Sequence, residues 1–154
     1  MSTAIHRLVE ECRARRRESV VCRVTSGWVV LGDAQFVRGY SLLLPDPVVA
    51  DLNKLEGAQR ATFLHDMAVV GDALLALTDA VRINYEILGN VDPALHAHVI
   101  PRYSYEPEAF RTRPAFAYDW NAAPRFDAGR DGPLLAALRG ELERRGIAAG
   151  GQAS

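Results

Sequence analysis

Two histidines, His96 and His98, stand two residues apart in the segment LHAHVIPR. On a strand that spacing sends both imidazoles to one face. Ala94 falls on the same face, while Leu95, Ala97 and Val99 form an apolar row on the other. An imidazole with its ordinary pKa near 6.5 is about three-quarters neutral at pH 7 and carries a free lone pair. Three readings are open for such a pair. It can be two hydrogen-bonded strand residues with a structural role. It can be two metal ligands, in which case a catalytic metal wants a third, and Asp92 is the nearest acid. Or one imidazole can attack phosphorus and form a phosphoramidate, while the other binds a phosphate oxygen or helps the leaving group. The other two histidines, His6 and His65, fall within amphipathic helical stretches and read as helix-face residues.

The chain that must position this pair has 154 residues, 49% of them hydrophobic and 24% charged. That length and balance describe one folded domain and exclude a wholly disordered chain. A net charge of −1 supplies no field for a polyanion, so neither nucleic acid nor an anionic membrane is an expected partner. The longest apolar stretch, residues 67–77, is interrupted by Gly71 and Asp72 and is too short to span a bilayer. Cys12 and Cys22 form no C-x-x-C pair and the first residues lack an apolar signal core, so a reducing, cytoplasmic setting is expected.

Local patterns place the elements. Ile5, Leu8, Val9 and Cys12 make one stripe of a first helix, with Ser2 or Thr3 as its cap. The arginines at 13 and 15–17 that follow suit the negative end of the helix dipole. Residues 19–25 (SVVCRVT), 28–31 (WVVL) and 40–44 (YSLLL) read as strands, with Ser26-Gly27 as a hairpin turn. A short helix is expected over 48–55 and a long one over 58–78, on the spacing of Phe63, Met67, Val70, Leu74 and Leu77. Residues 81–87 and 94–100 read as the fourth and fifth strands, separated by a turn-rich loop. Residues 103–131 show no period. A last helix is expected over 133–145, with Pro133 at its start, and residues 147–154 as a flexible tail. Sequential strands joined by short turns give an antiparallel sheet with packed helices, an α+β architecture.

The segment NYEILGNVDPALHAHVIPRY, residues 84–103, resembles the histidine-triad (HIT) family of nucleotide hydrolases and transferases. The matching positions are Asn84, Gly89-Asn90, His96, His98 and Val99-Ile100-Pro101-Arg102. The upstream stretch GWVVLGDAQFVRGYSLLLPDP is similar to the family's first nucleotide-site hairpin. The resemblance covers a motif core of 19–103 and is nearest to the branch that acts on dinucleoside polyphosphates. It implies one HIT-like domain over 1–146: five antiparallel strands with packed helices, extended across a homodimer.

The resemblance also implies roles. His96 is the nucleophile on the α-phosphorus of an adenine dinucleotide or a nucleoside phosphoramidate, and His98 lies at the phosphates. Asn90, with Gly89, takes the place of the amide on the phosphate and leaving-group side, and Asn84 that of the upstream amide. Asp33 stands near the ribose-binding position, and the base is expected against Val30 and Leu31. Apart from the resemblance, a polyphosphate site wants cationic clamps: Arg102 reads as one or as a sheet-edge residue, Arg38 in the hairpin loop is a candidate, and the arginines at 111, 113, 125 and 130 belong either to a solvated surface loop or to a segment that folds over the site. No protein-bound metal or other cofactor is implied; Mg²⁺ would enter only with the phosphates. The first histidine of the triad is replaced by Ala94, which keeps a non-catalytic nucleotide-binding reading open beside the enzymatic one.

Overall fold

The computed structural model describes residues 2–149. Helix α1 spans Ala4–Arg13; the Thr3 hydroxyl caps it by accepting from the His6 amide, which gives His6 a capping role. Strands β1 (Val20–Val24), β2 (Gly27–Leu31) and β3 (Ser41–Pro45) follow. Helix α2 spans Gly57–Leu77, β4 Arg82–Glu86 and β5 Ala97–Arg102. A short helix α3 (Glu108–Arg111) and the last helix α4 (Ala128–Arg144) complete the chain. The five strands form one antiparallel sheet in the order β1-β2-β3-β5-β4.

Period-2 alternation divides the sheet into two faces. Val29, Leu31, Leu43, Leu95, Ala97 and Val99 point into the main core with Phe63, Val70 and Leu74 of α2. Val30, Leu44 and Ala94 point the other way and are covered by Ile5, Val9 and Cys12 of α1. Further along that second face, Val37, Tyr40, Ile100 and Tyr103 pack against Ala115, Tyr118 and Trp120. Leu42 touches both of these clusters and forms the floor between them.

Several boundaries differ from expectation. The fifth strand begins at Ala97, because Asp92, Pro93 and the bond from the Leu95 amide to the Val49 carbonyl hold residues 92–95 in a loop. It runs through Pro101, because pairing with β3 ends at Ser41↔Val99 and the missing proline N–H faces no partner strand there. The helix expected over 48–55 contracts to one 3₁₀ turn, Leu52–Lys54. The last helix starts five residues before Pro133: Asp127 caps the Arg130 amide and Asp131 accepts from the Asp127 amide. The irregular stretch also holds α3 and a 3₁₀ turn, Ala115–Ala117.

The expected tail is corrected as well. Ile147 is buried in the main core, Ala148 bridges to Val24, and the Ala149 amide donates to the Arg23 carbonyl. The remainder of that tail, 150–154, lies outside the described residues. Together with Arg139, which donates to the Val20 and Val21 carbonyls, residues 147–149 cover the β1 edge. Ile147→Ala is expected to cost about 2–5 kcal/mol in urea denaturation, the usual loss for a truncated buried isoleucine. A cost below about 1 kcal/mol would return these residues to a frayed end.

Candidate active site

His96 sits in the last residue before β5 and His98 in its second position, and both are half-buried. Their ring centroids are 4.9 Å apart at 70°. The expected pairing of the two imidazoles on one face therefore holds, although His96 precedes the strand. His98 stands opposite Leu42 of β3 on one side and Glu86 of β4 on the other.

Hydrogen bonds fix what each ring can do. The Nδ1 of His96 lies 2.7 Å from the Ala94 carbonyl oxygen. A carbonyl only accepts, so Nδ1 carries the hydrogen and the neutral ring keeps its lone pair on Nε2. The backbone of Ala94 thus orients His96 without any side chain. Ala94 itself is buried against α1, filling space at the back of the site.

The Nδ1 of His98 lies 2.6 Å from the Tyr40 hydroxyl. Burial, followed by the neighbouring His96, pushes the pKa of His98 down to about 4. Burial, with the Glu86 and Asp33 carboxylates, pushes that of Tyr40 up. Both groups are therefore neutral at pH 7. The phenol has no other partner among the described residues, so it donates to Nδ1 and leaves the proton of His98 on Nε2. The pair is a lone pair on one ring beside an N–H on the other. The Tyr40 ring lies so close to Gly32 that a Cβ there would stand 2.2 Å from it.

Tyr40→Phe removes the hydroxyl that bonds Nδ1 but leaves the burial that depresses His98. By NMR titration of the ring protons the His98 pKa is therefore expected to stay well below 6.5. A pKa that rises to 6.5 would mean that the Tyr40 hydroxyl, and not burial, holds it down.

The other expected residues fall out differently. Asp33 is exposed; one carboxylate oxygen accepts from Arg17 at 2.7 Å and the other is unpartnered among the described residues. It lines a cavity of about 710 Å³ with Arg16, Arg17, Ser19 and Arg125. Asn84 lies on the histidine face of β4, where its Oδ1 accepts from Arg102. Gly89, at φ 94°, and the exposed Asn90 lie in the loop that leads to His96. Asp92 is tied to the start of α1, accepting from the Ile5 amide.

Arg102 is not available as a clamp. It is buried, pairs with both oxygens of Glu106, and donates to Asn84 Oδ1 and to the Phe110 and Arg113 carbonyls, so its five N–H groups are all engaged. Arg130 is likewise given to Asp131, and Arg38 is exposed. Val30 and Leu31 are each 1% exposed, one beneath α1 and the other in the main core, so neither can meet a base. Among the described residues no group of three His, Cys, Asp or Glu side chains converges as a metal site. Both cysteines are free thiols that burial pushes up, Cys12 to about 11 and Cys22 to about 12.

Sequence reasoning missed Tyr40, Phe36 and Trp120, which meet beside His98. Tyr40 was legible only as a strand residue. The signal for the others was the aromatic content of a stretch that lacks a period.

No protein-family model matches the chain. No curated protein matches it either. Solved structures do. A histidine triad protein from Marinobacter aquaeolei VT8 superposes with a TM-score of 0.73 at 18% identity, over 94% of this chain and 98% of that one. A histidine triad (HIT) protein from Sinorhizobium meliloti 1021 gives 0.70 at 20%, over 84% and 94%. A histidine triad protein from Bradyrhizobium japonicum gives 0.69 at 25%, over 83% and 94%. What the chain shares with them across nearly their whole length is an architecture, and that architecture is the histidine-triad fold.

Proposed function

We propose that this chain is a member of the histidine-triad family and works as a nucleotidyl hydrolase or transferase. The observation that carries the reading is the hydrogen bond from His96 Nδ1 to the Ala94 carbonyl, which commits the lone pair to Nε2. That nitrogen attacks the α-phosphorus of an adenine dinucleoside polyphosphate or a nucleoside phosphoramidate. An N–P bond forms as the bond from phosphorus to the leaving oxygen or nitrogen breaks. The leaving group takes a proton from solvent. Water then attacks the nucleotidyl-histidine, releasing the nucleoside monophosphate and restoring His96.

His98 serves as a neutral donor. With its pKa near 4 it is a poor source of protons at pH 7, whereas its Nε2–H suits a non-bridging oxygen that gains charge in the transition state. Asp33 offers its unpartnered carboxylate oxygen to ribose hydroxyls, and Asn90 an unencumbered amide to the phosphates. Losing the first triad histidine need not end catalysis here, since its backbone carbonyl, kept in Ala94, is the group that touches His96.

A homodimer joined along β4 is part of the same reading. The β1 edge is covered, whereas β4 is the other edge of the sheet and carries the exposed Tyr85, with Val81 beside it. No helix among the described residues is long and apolar enough to cross a membrane.

The test is chelator-treated protein with diadenosine tetraphosphate and an adenosine phosphoramidate, followed by chromatography and by intact mass after an acid-free quench. A nucleotidyl adduct or turnover supports the enzyme. Saturable nucleotide binding with neither would leave the binding module that Ala94 also permits.

A further inference from the structure

The wall expected to hold the base is closed, since Val30 and Leu31 are both buried. Another aromatic surface stands next to the same histidines. Residues 120–126 run beside the loop that follows β2: Ala34 bridges to Arg125, the Gln35 amide donates to the Pro124 carbonyl, and the Phe126 amide donates to the Asp33 carbonyl. This strap delivers Trp120 to the site. Its ring centroid is 4.5 Å from Phe36, 5.2 Å from Tyr40 and 6.0 Å from His98. The indole N–H is spent on the Ala115 carbonyl at 3.0 Å, which holds the ring in place. Trp120 and Phe36 are both half-buried, so each keeps part of its surface open.

We propose that Trp120, backed by Phe36, is the base-stacking residue of the nucleotide site and takes over the role that the buried hairpin residues cannot fill. Phe36 is three residues from Asp33, so a nucleoside whose ribose meets Asp33 and whose phosphorus meets His96 has this aromatic pair within reach. Because stacking reads the face of a ring and not its edge, the site is expected to tolerate more than one base. The inference rests on the nucleotide reading above.

The two tryptophans of the chain make a direct test possible. Trp28 lies away from the site, with its N–H on Asp46 and Arg23 over its ring at 5.5 Å. In Trp28→Phe protein, Trp120 is the sole indole. Its fluorescence is expected to change saturably with AMP and to stay constant with ribose 5-phosphate, which lacks the base. By calorimetry, Trp120→Ala should weaken AMP binding on the order of 10-fold to 100-fold, as loss of a base-stacking ring does. It should leave ribose 5-phosphate binding unchanged, and Trp120→Phe should recover most of the affinity.

AMP binding that is equal in wild type and Trp120→Ala would overturn the stacking role while leaving the nucleotide reading standing. Equal losses for AMP and ribose 5-phosphate would make Trp120 a structural residue and overturn it too. A wild type that binds neither compound, with no adduct in the assay above, would overturn both.

Discussion

Replacing His96 with alanine should reduce kcat on the order of 10⁴- to 10⁶-fold, as removing a covalent nucleophile does. It should also abolish any nucleotidyl adduct seen by mass. The effect is large because no neighbour can substitute. The adjacent imidazole has its Nδ1 occupied by the Tyr40 hydroxyl and its Nε2 protonated, so it presents no lone pair. His98→Ala should be milder, about 10²- to 10³-fold, the usual loss for one donor to a developing oxyanion. The fold should survive both changes, since the rings are half-buried and the backbone of β5 is held by its ladders to β3 and β4. Nucleotide affinity in His96→Ala is therefore expected near the wild-type value. An adduct that persists in His96→Ala, or a larger defect in His98→Ala, would reverse the two roles.

Much of this arrangement was legible in the residues. The alternation of Leu95, Ala97 and Val99 against His96 and His98 predicts which side of the sheet is core, and α2 covers that side. The spacing of Phe63, Val70 and Leu74 predicts the helix that does so. What stayed hidden is long-range. Val30 and Leu31 are strand neighbours and so face opposite sides of the sheet, but only the packing of α1 and α2 shows that both sides are covered there. Tyr40 meets a ring 58 residues away. Residues 147–149 follow a glycine and look like a frayed terminus; burial of one isoleucine and bonds to the β1 edge hold them. Residues 103–127 lack a period because side-chain anchors, with only two short helical turns between them, determine their path.

The chief anchor is the pair between Arg102 and Glu106, whose side chains are only 7% and 3% exposed. Glu106→Ala should lower unfolding stability by about 3–5 kcal/mol in urea, the cost of leaving a buried charge without its partner. Burial works against the Glu106 carboxylate, but Arg102, the Tyr118 hydroxyl and the Tyr103 amide outweigh it and hold its pKa below the ordinary 4.5. The sign of the linkage follows: this stabilisation is present above pH 4.5 and is lost as pH falls through the lowered folded value. The variant should therefore lose less stability than wild type on acidification. Replacing both partners, as Arg102→Met with Glu106→Leu, removes the orphaned charge and should recover part of the loss. Recovery stays incomplete because Asn84 Oδ1 and the carbonyls of Phe110 and Arg113 lose the donor they share. The same variants reach function through the strap, since Tyr118 and Trp120 follow the segment that Glu106 pins to the sheet. AMP affinity should accordingly fall in Glu106→Ala more than in the double replacement. A stability loss below about 1 kcal/mol for the single variant would mean that the apolar contacts of Ala115, Tyr118 and Trp120 hold the strap without the ion pair.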